Sequence, residues 1–138
     1  MSPMLMRVVV HISLVLLLVV SSEAFFKRST VHIEVTNRLS NYNDLILHCY
    51  EREGEDLGVK ILLPLEKFEF SFKPRMGFKS SKYYCSAKWD GSDIKWFDLW
   101  SKGRDGREGL QIKWDVTNNK ACRFAQDTGT YSVCVVWN

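Results

Sequence analysis

The residues of this chain that could take part in chemistry are four cysteines, three histidines and one acidic cluster. No Cys-x-x-Cys pair and no His-x-x-x-His pair occurs, which disfavours a structural zinc site and a thiol redox motif. An even number of cysteines is typical of small secreted domains that are held together by disulfides. We therefore predict two disulfides among Cys49, Cys85, Cys122 and Cys134.

The histidines and the acidic cluster do not predict a catalytic or metal site. His48 adjoins Cys49 on a predicted strand, so the two side chains point to opposite faces and cannot form a Cys–His catalytic pair. The acidic cluster lacks the EF-hand spacing and is interrupted by Arg52, which favours a solvated turn over a calcium loop or a pair of glycosidase carboxylates. Its members are Glu51, Glu53, Glu55 and Asp56. We expect no enzymatic activity, no metal and no cofactor.

The first residues follow the order of a secretory signal peptide, with the basic Arg7, an apolar run over residues 8–20 and small residues up to Ala24. The run is shorter than the ~20 apolar residues that span a bilayer, so cleavage is favoured over anchoring. We predict a signal peptide over residues 1–24 and a secreted mature chain over residues 25–138, without stable membrane insertion. No linker divides the mature chain, which predicts one domain.

The charge pattern bears on possible partners. The leader contains one basic and one acidic residue, Arg7 and Glu23, so the mature chain keeps the net charge of +3. Nucleic-acid binders concentrate Lys and Arg on one face or in one block, whereas here basic and acidic residues alternate. We therefore expect no nucleic-acid partner.

Apolar and polar residues alternate along most of the mature chain, which is the pattern of strands with one buried face. The alternation is clearest at Phe68, Phe70 and Phe72, and turn formers such as Asp90-Gly91 separate the runs. The runs that predict strands are 31–36, 45–49, 58–63, 68–72, 82–89, 94–100, 110–117 and 130–137. About eight short strands at near-regular spacing predict an all-β fold, an antiparallel β-sandwich stabilised by disulfides.

The same alternation predicts which side chains face the core. Cys49 and Cys85 share the inward parity of the apolar residues around them, whereas Cys134 is out of step with its neighbours. Parity leaves all three possible pairings of the cysteines open. The adjacent Trp96 and Phe97 cannot both face inward, so we expect one of them at the surface or under a loop.

One loop and one group of aromatic residues could each have either a structural or a binding role. The loop from Lys102 to Gly109 is polar, glycine-rich and of mixed charge, so it is either a plain hairpin connection or one of the recognition loops that rigid scaffolds display. A group of aromatic residues could form a sugar-stacking platform, although core filling is favoured in a sandwich. These residues are Trp89, Trp96, Phe97 and Trp100.

Several motifs follow one another in order from about Val31 to Phe124. They are His48-Cys49, Glu55-Asp56-Leu57-Gly58, the row of Phe68, Phe70 and Phe72, Tyr84-Cys85, Trp89, Trp96-Phe97-Asp98-Leu99, Arg104-Asp105, Trp114 with Val116, and Cys122. Together they resemble the plant self-incompatibility protein family, also called the S-protein homologues. The resemblance covers nearly all of the mature chain.

The resemblance implies a small secreted plant protein with a disulfide-held β-sandwich, no enzymatic activity and a ligand-like role in signalling or recognition. The founding members of the family are pistil ligands that pollen recognises through a membrane protein. Recognition through exposed hydrophilic loops would give Arg104, Asp105, Arg107 and Glu108 as candidate residues for binding a plant cell-surface receptor protein. The sequence leaves the oligomeric state open.

The cysteines depart from the family pattern. Family members usually carry a cysteine two residues before the counterpart of Trp114, where this chain has Ile112, while Cys134 lies beyond the usual pattern. One family disulfide is therefore expected to be rerouted. The pairings expected from the resemblance are Cys85 with Cys134 and Cys49 with Cys122.

A second interpretation is a secreted defence or carbohydrate-binding module whose exposed aromatic residues stack on glycan or lipid. It predicts saturable binding to polysaccharide that is sensitive to loss of Trp96 or Trp100. A secreted hydrolase is disfavoured, because nothing in the sequence singles out an activated nucleophile or a pair of carboxylates.

Overall fold

The computed structural model of the protein describes residues 2–26, 29–75 and 79–137. Within these residues, the segments in which apolar and polar residues alternate form most of the nine strands. Two helices accompany them, α1 (Pro3–Phe26) and the short α2 (Lys102–Asp105). The strands are β1 (Val31–Asn37), β2 (Leu45–Glu51), β3 (Asp56–Leu62), β4 (Lys67–Phe72), β5 (Lys82–Lys88), β6 (Lys95–Ser101), β7 (Gln111–Val116), β8 (Lys120–Ala125) and β9 (Thr130–Val136).

The strands form two sheets, so the predicted β-sandwich is confirmed. One sheet has five strands in the order β4-β1-β7-β8-β9, and the other has four in the order β3-β2-β5-β6. Neighbouring strands are antiparallel except β1 and β7, which pair in parallel. The strand that the sequence pattern missed is β8, where the buried Cys122 and Arg123 interrupt the alternation.

The core lies between the inner faces of the two sheets. Alternate residues of each strand point inward, because successive side chains of a strand lie on opposite faces. Phe97 is buried while its neighbour Trp96 is 54% exposed, which confirms that only one of the two faces inward. The largest fully buried side chains of the core include Ile33, Val35, Leu45, Leu47, Leu99, Ile112, Trp114 and Val116.

Both disulfides join directly opposed residues of neighbouring strands. Cys49 of β2 bonds to Cys85 of β5, and Cys122 of β8 bonds to Cys134 of β9. The pairing expected from the family resemblance is therefore wrong. It placed one cysteine of each pair in each sheet, whereas strand order brings each cysteine beside a partner within its own sheet. The inward orientation predicted for Cys49 and Cys85 is confirmed, because both are buried.

Polar groups also connect the two sheets. The side-chain amide nitrogen of Asn37, at the end of β1, donates to the backbone oxygens of Asn43 and Leu62, and the second of these belongs to β3 in the opposite sheet. The indole nitrogen of Trp114 in β7 donates to the backbone oxygen of Leu99 in β6 over 2.9 Å. Such hydrogen bonds satisfy buried polar groups and fix how the sheets meet.

A tyrosine of the core predicts how stability changes at alkaline pH. Tyr83 packs against Phe72 at 4.5 Å between ring centroids, and burial, reinforced by the charges of Glu55 and Glu51, raises its pKa to about 12. Because the pKa in the folded state exceeds the usual tyrosine value of about 10, this contribution to stability is complete below about pH 10 and is lost as the pH rises towards about 12.

We expect Tyr83→Phe to flatten this alkaline decline, since the ring is kept and the titrating hydroxyl is removed. Denaturant midpoints of both proteins, measured between about pH 9 and pH 12, check the prediction. An equal decline in the native protein and the variant would show that other groups cause it.

The predicted signal peptide coincides with most of α1. Among residues 2–26, 29–75 and 79–137, no helix is both long and apolar enough to cross a membrane. Cleavage after Ala24 stays a prediction.

Candidate functional site

The loop that carries the predicted site residues connects β6 to β7. It begins with the single turn of α2 and continues through residues 106–110. A Cβ at Gly106 would lie 2.5 Å from the backbone oxygen of Lys102, so this close turn requires glycine. Gly109, with φ of +90°, provides the left-handed conformation that leads into β7.

Asp105 fixes the loop to the body of the sandwich. Its side chain is fully buried, and its Oδ2 accepts a hydrogen bond from the backbone N–H of Ser101 over 2.9 Å. Arg104 Nη2 lies 2.8 Å from the same oxygen, and Arg123 Nε lies 2.8 Å from Asp105 Oδ1. Both carboxylate oxygens of Asp105 therefore have partners, and a buried charge is tolerated when it is paired in this way.

Arg104 connects Asp105 to the strand beside the loop. Besides its three hydrogen bonds to the carboxylate, its Nη2 donates to the backbone oxygen of Asp98 over 2.7 Å. The guanidinium also lies 5.1 Å from the ring centroid of Trp114, within the range of a cation–π contact. These contacts turn the side chain of Arg104 towards the protein and leave only 27% of it exposed.

Arg123 is the residue of this network that the sequence did not reveal. Its side chain is 2% exposed, and its Nη1 lies 3.3 Å from Glu108 Oε2 in addition to the contact between Nε and Asp105. The signal that could have found it is a basic residue with apolar neighbours on both sides in the interior of β8. Such an isolated charge indicates a buried ion pair.

The structure separates the four predicted site residues into two groups. Asp105 is buried and Arg104 is mostly engaged by the protein itself. Arg107 is exposed to solvent, and Glu108 is partly exposed beside Arg123. Arg107 is therefore the most accessible of the four, whereas the side chains of Arg104 and Glu108 are 27% and 29% exposed and each forms an ion pair within the protein.

The acidic cluster, which extends from the last residue of β2 to the first residue of β3, proves to be partly structural. Glu51 is 3% exposed and accepts a hydrogen bond from Arg75 Nη2, so the prediction of a solvated turn is wrong for this residue. Its other members are exposed, as expected for a turn. Among the described residues, no group of three or more His, Cys, Asp or Glu side chains is arranged to hold a metal ion.

A second polar and aromatic group lies on the outer face of the four-stranded sheet. His48 Nε2 lies 2.7 Å from Asp56 Oδ1, and the hydroxyl of Tyr50 lies 2.8 Å from His48 Nδ1. The N–H of Gly58 and the contact with His48 lower the pKa of Asp56. The Tyr50 ring stacks on Tyr84 at 5.3 Å between centroids.

Trp96 extends this aromatic group towards the edge of the sheet. Its ring centroid lies 6.0 Å from that of Tyr84, and 54% of the residue is exposed. Trp100, the other tryptophan considered for sugar stacking, is 2% exposed and meets Phe72 edge-on. Trp96 therefore belongs to an accessible surface and Trp100 to the core.

Comparisons with known proteins relate the whole domain to one family. Residues 32–137 match the family model described as plant self-incompatibility protein S1. S-protein homolog 4 of Arabidopsis thaliana is 34% identical over 110 residues, which cover 77% of this chain and 71% of that protein. S-protein homolog 2 is 32% identical over 86% of this chain and 74% of its own length. S-protein homolog 29 is 26% identical over 96% of both chains.

Proposed function

Because the chain belongs to the plant self-incompatibility protein S1 family, we propose that it is a secreted recognition ligand that binds a plant cell-surface receptor protein. The observation that carries the proposal is the β6–β7 loop, which the buried Asp105 fastens to a rigid sandwich. A preorganised loop binds with a smaller loss of conformational entropy than a mobile one.

Secretion is part of the same proposal. Residues 1–24 have the composition of a signal peptide, and the domain contains two disulfides. Disulfides form and persist in oxidising compartments and outside the cell, so the covalent structure fits an extracellular protein. The family relationship supports a role in recognition without catalysis.

The geometry suggests different roles for the four candidate residues. We assign partner contact to the exposed Arg107, with Glu108 beside it, and the positioning of the loop to Arg104 and Asp105. An exposed charge at a binding surface mainly steers the encounter and discriminates between partners. Replacing all four residues together would remove the anchor as well as the contact, so the test must change the exposed residue alone.

The test measures binding of the oxidised protein, beginning at Phe25, to plant cell-surface fractions. We expect saturable, protease-sensitive binding that Arg107→Glu weakens about tenfold or more, which corresponds to about 1.4 kcal/mol. Lys79→Glu is the matched control, because it makes the same change in net charge at an exposed residue of the β4–β5 connection. Equal binding by both variants would contradict the role of the β6–β7 loop.

A carbohydrate-binding or defence role is the second candidate, and the exposed Trp96 beside Tyr84 favours it. Aromatic rings that are accessible at a surface offer a large contact area with a polar edge. In the same experiment, binding that survives protease, is removed by glycanase and is lost in Trp96→Ala but not in Arg107→Glu would support this role instead. The prediction that Trp100 contributes to such a surface is wrong, because Trp100 is buried.

A further inference from the structure

The sandwich ends in four edge strands, and one of them differs from the other three. The edges are β4 and β9 in the five-stranded sheet and β3 and β6 in the four-stranded sheet. An edge strand presents backbone N–H and C=O groups that can pair with another chain, and charged side chains on the edge oppose such pairing. The charged residues are Lys67 and Glu69 in β4, Asp56 and Lys60 in β3, and Lys95 and Asp98 in β6.

The exception is β9, with the sequence TYSVCVV. It contains no charged residue, no glycine and no proline, and four of its seven residues are the β-branched Thr130, Val133, Val135 and Val136. A segment of this length with high β-propensity and no charge is the type of strand that pairs with copies of itself. Val136 is 67% exposed and Tyr131 is 39% exposed, so the strand is accessible.

The edge of β9 that faces β8 is held in place by covalent and noncovalent contacts. The Cys122–Cys134 disulfide joins it to β8, and Tyr131 meets Phe124 edge-on at 5.3 Å between ring centroids. Beyond the strand, the Trp137 backbone N–H donates to the Asn119 oxygen, and its indole nitrogen donates to the Thr117 oxygen. A preformed edge needs little ordering when it pairs, which favours association.

The geometry of the disulfide indicates which backbone groups face the open side. The Cα atoms of Cys122 and Cys134 are 4.1 Å apart, as in the pairs of an antiparallel ladder that do not exchange backbone hydrogen bonds. The backbone N–H and C=O of Cys134 therefore point away from β8. Two residues further along, those of Val136 point the same way.

We infer that β9 is a self-association edge and that its partner is β9 of a second copy of this chain. Antiparallel pairing about a twofold axis makes the same surface complementary to itself and joins the two five-stranded sheets into one. An uncharged, β-branched strand meets no repulsion from its copy and gains cross-strand contacts between valines. The inference is independent of the proposed function, and a dimer would present two β6–β7 loops to a receptor.

Sedimentation equilibrium of the oxidised protein beginning at Phe25, from micromolar concentrations to about 1 mM, tests the inference. We expect a concentration-dependent dimer that Val136→Lys weakens about tenfold or more, because twofold symmetry brings two new lysines to one interface. The matched control is Ile61→Lys, an equally exposed apolar residue (62%) on the edge strand β3, which should dimerise like the native protein. Thermal unfolding of both variants verifies that each is folded.

Amide hydrogen exchange provides a second readout that identifies the surface. Protection of the Cys134 and Val136 amides should increase with protein concentration, since these groups acquire hydrogen-bond partners only in the dimer. A protein that is monomeric up to about 1 mM, or equal weakening by both lysine variants, would overturn the inference. So would a dimer in which concentration-dependent protection appears elsewhere and not at these two amides.

Discussion

Asp105→Asn is expected to lower the free energy of unfolding by about 3–5 kcal/mol, because it removes the nearer of the two carboxylates that compensate the buried Arg123. That loss is a large share of the 5–15 kcal/mol by which domains are usually stable. It would occur although Asn keeps the shape of Asp and can still accept the hydrogen bond from Ser101. Urea or guanidinium denaturation measures it directly.

A double-mutant cycle distinguishes loss of the ion pair from a general disturbance of the loop. Arg123→Met in the Asp105→Asn background should cost less than Arg123→Met in the native protein by about 1 kcal/mol or more, since the arginine has then already lost its nearer carboxylate partner. Arg107→Ala, at an exposed residue of the same loop, should change stability by no more than about 0.5 kcal/mol. Additive effects of the two substitutions would contradict the proposed coupling.

Removing the buried disulfide is expected to have the second large effect. Replacing both Cys49 and Cys85 with alanine removes a covalent link between residues 36 positions apart. From the entropy of the unfolded chain, we expect the free energy of unfolding to fall by about 3.8 kcal/mol. The corresponding replacement of Cys122 and Cys134, 12 positions apart, is estimated at about 2.9 kcal/mol. Denaturant unfolding of the two double variants should therefore rank the first as the less stable.

The two disulfides should also differ in their response to reductant in the folded state. Cys134 is exposed, whereas Cys49 and Cys85 are both buried in the core. Under native conditions a thiol reductant should therefore open Cys122–Cys134 first, and Cys49–Cys85 only when the domain unfolds, because exchange requires access to sulfur. Alkylation followed by peptide mapping detects the order. Simultaneous reduction of both bonds in the folded protein would contradict this prediction.

Much of the fold follows from local alternation of residues, but strand order does not. The two-residue period of apolar side chains predicted eight of the nine strands, and it predicted that Cys49 and Cys85 point inward. It missed β8, because Arg123 occupies an inward position that the pattern reserves for an apolar residue. The cysteine pairing could not be predicted, since it depends on which strands lie side by side and β2 pairs with β5 over a long separation in sequence.

The site was harder to predict than the fold for a related reason. Composition marked the β6–β7 segment as a polar connection, but the interpretation as a hairpin is wrong, because β6 and β7 lie in different sheets. Composition also could not distinguish the buried Asp105 from the exposed Arg107 two positions later. That difference arises from Arg123, which lies in another strand and is brought to the loop only by the packing of the two sheets. An ion pair between residues that are distant in sequence produces no periodicity or motif by which a single sequence would reveal it.

Because each disulfide lies within one sheet, formation of the disulfides does not require the two sheets to have packed together. Cys122–Cys134 requires only the β8–β9 hairpin, and Cys49–Cys85 requires only neighbouring strands of the other sheet. Both bonds can therefore close before the sheets have met, and a surveillance system that detects free thiols would release a chain that is fully oxidised but unassembled. The pair of Asp105 and Arg123 requires the two sheets to pack together, as do the hydrogen bonds of Asn37 to Leu62 and of Trp114 to Leu99. These contacts, and not the disulfides, distinguish the finished protein from its oxidised precursor.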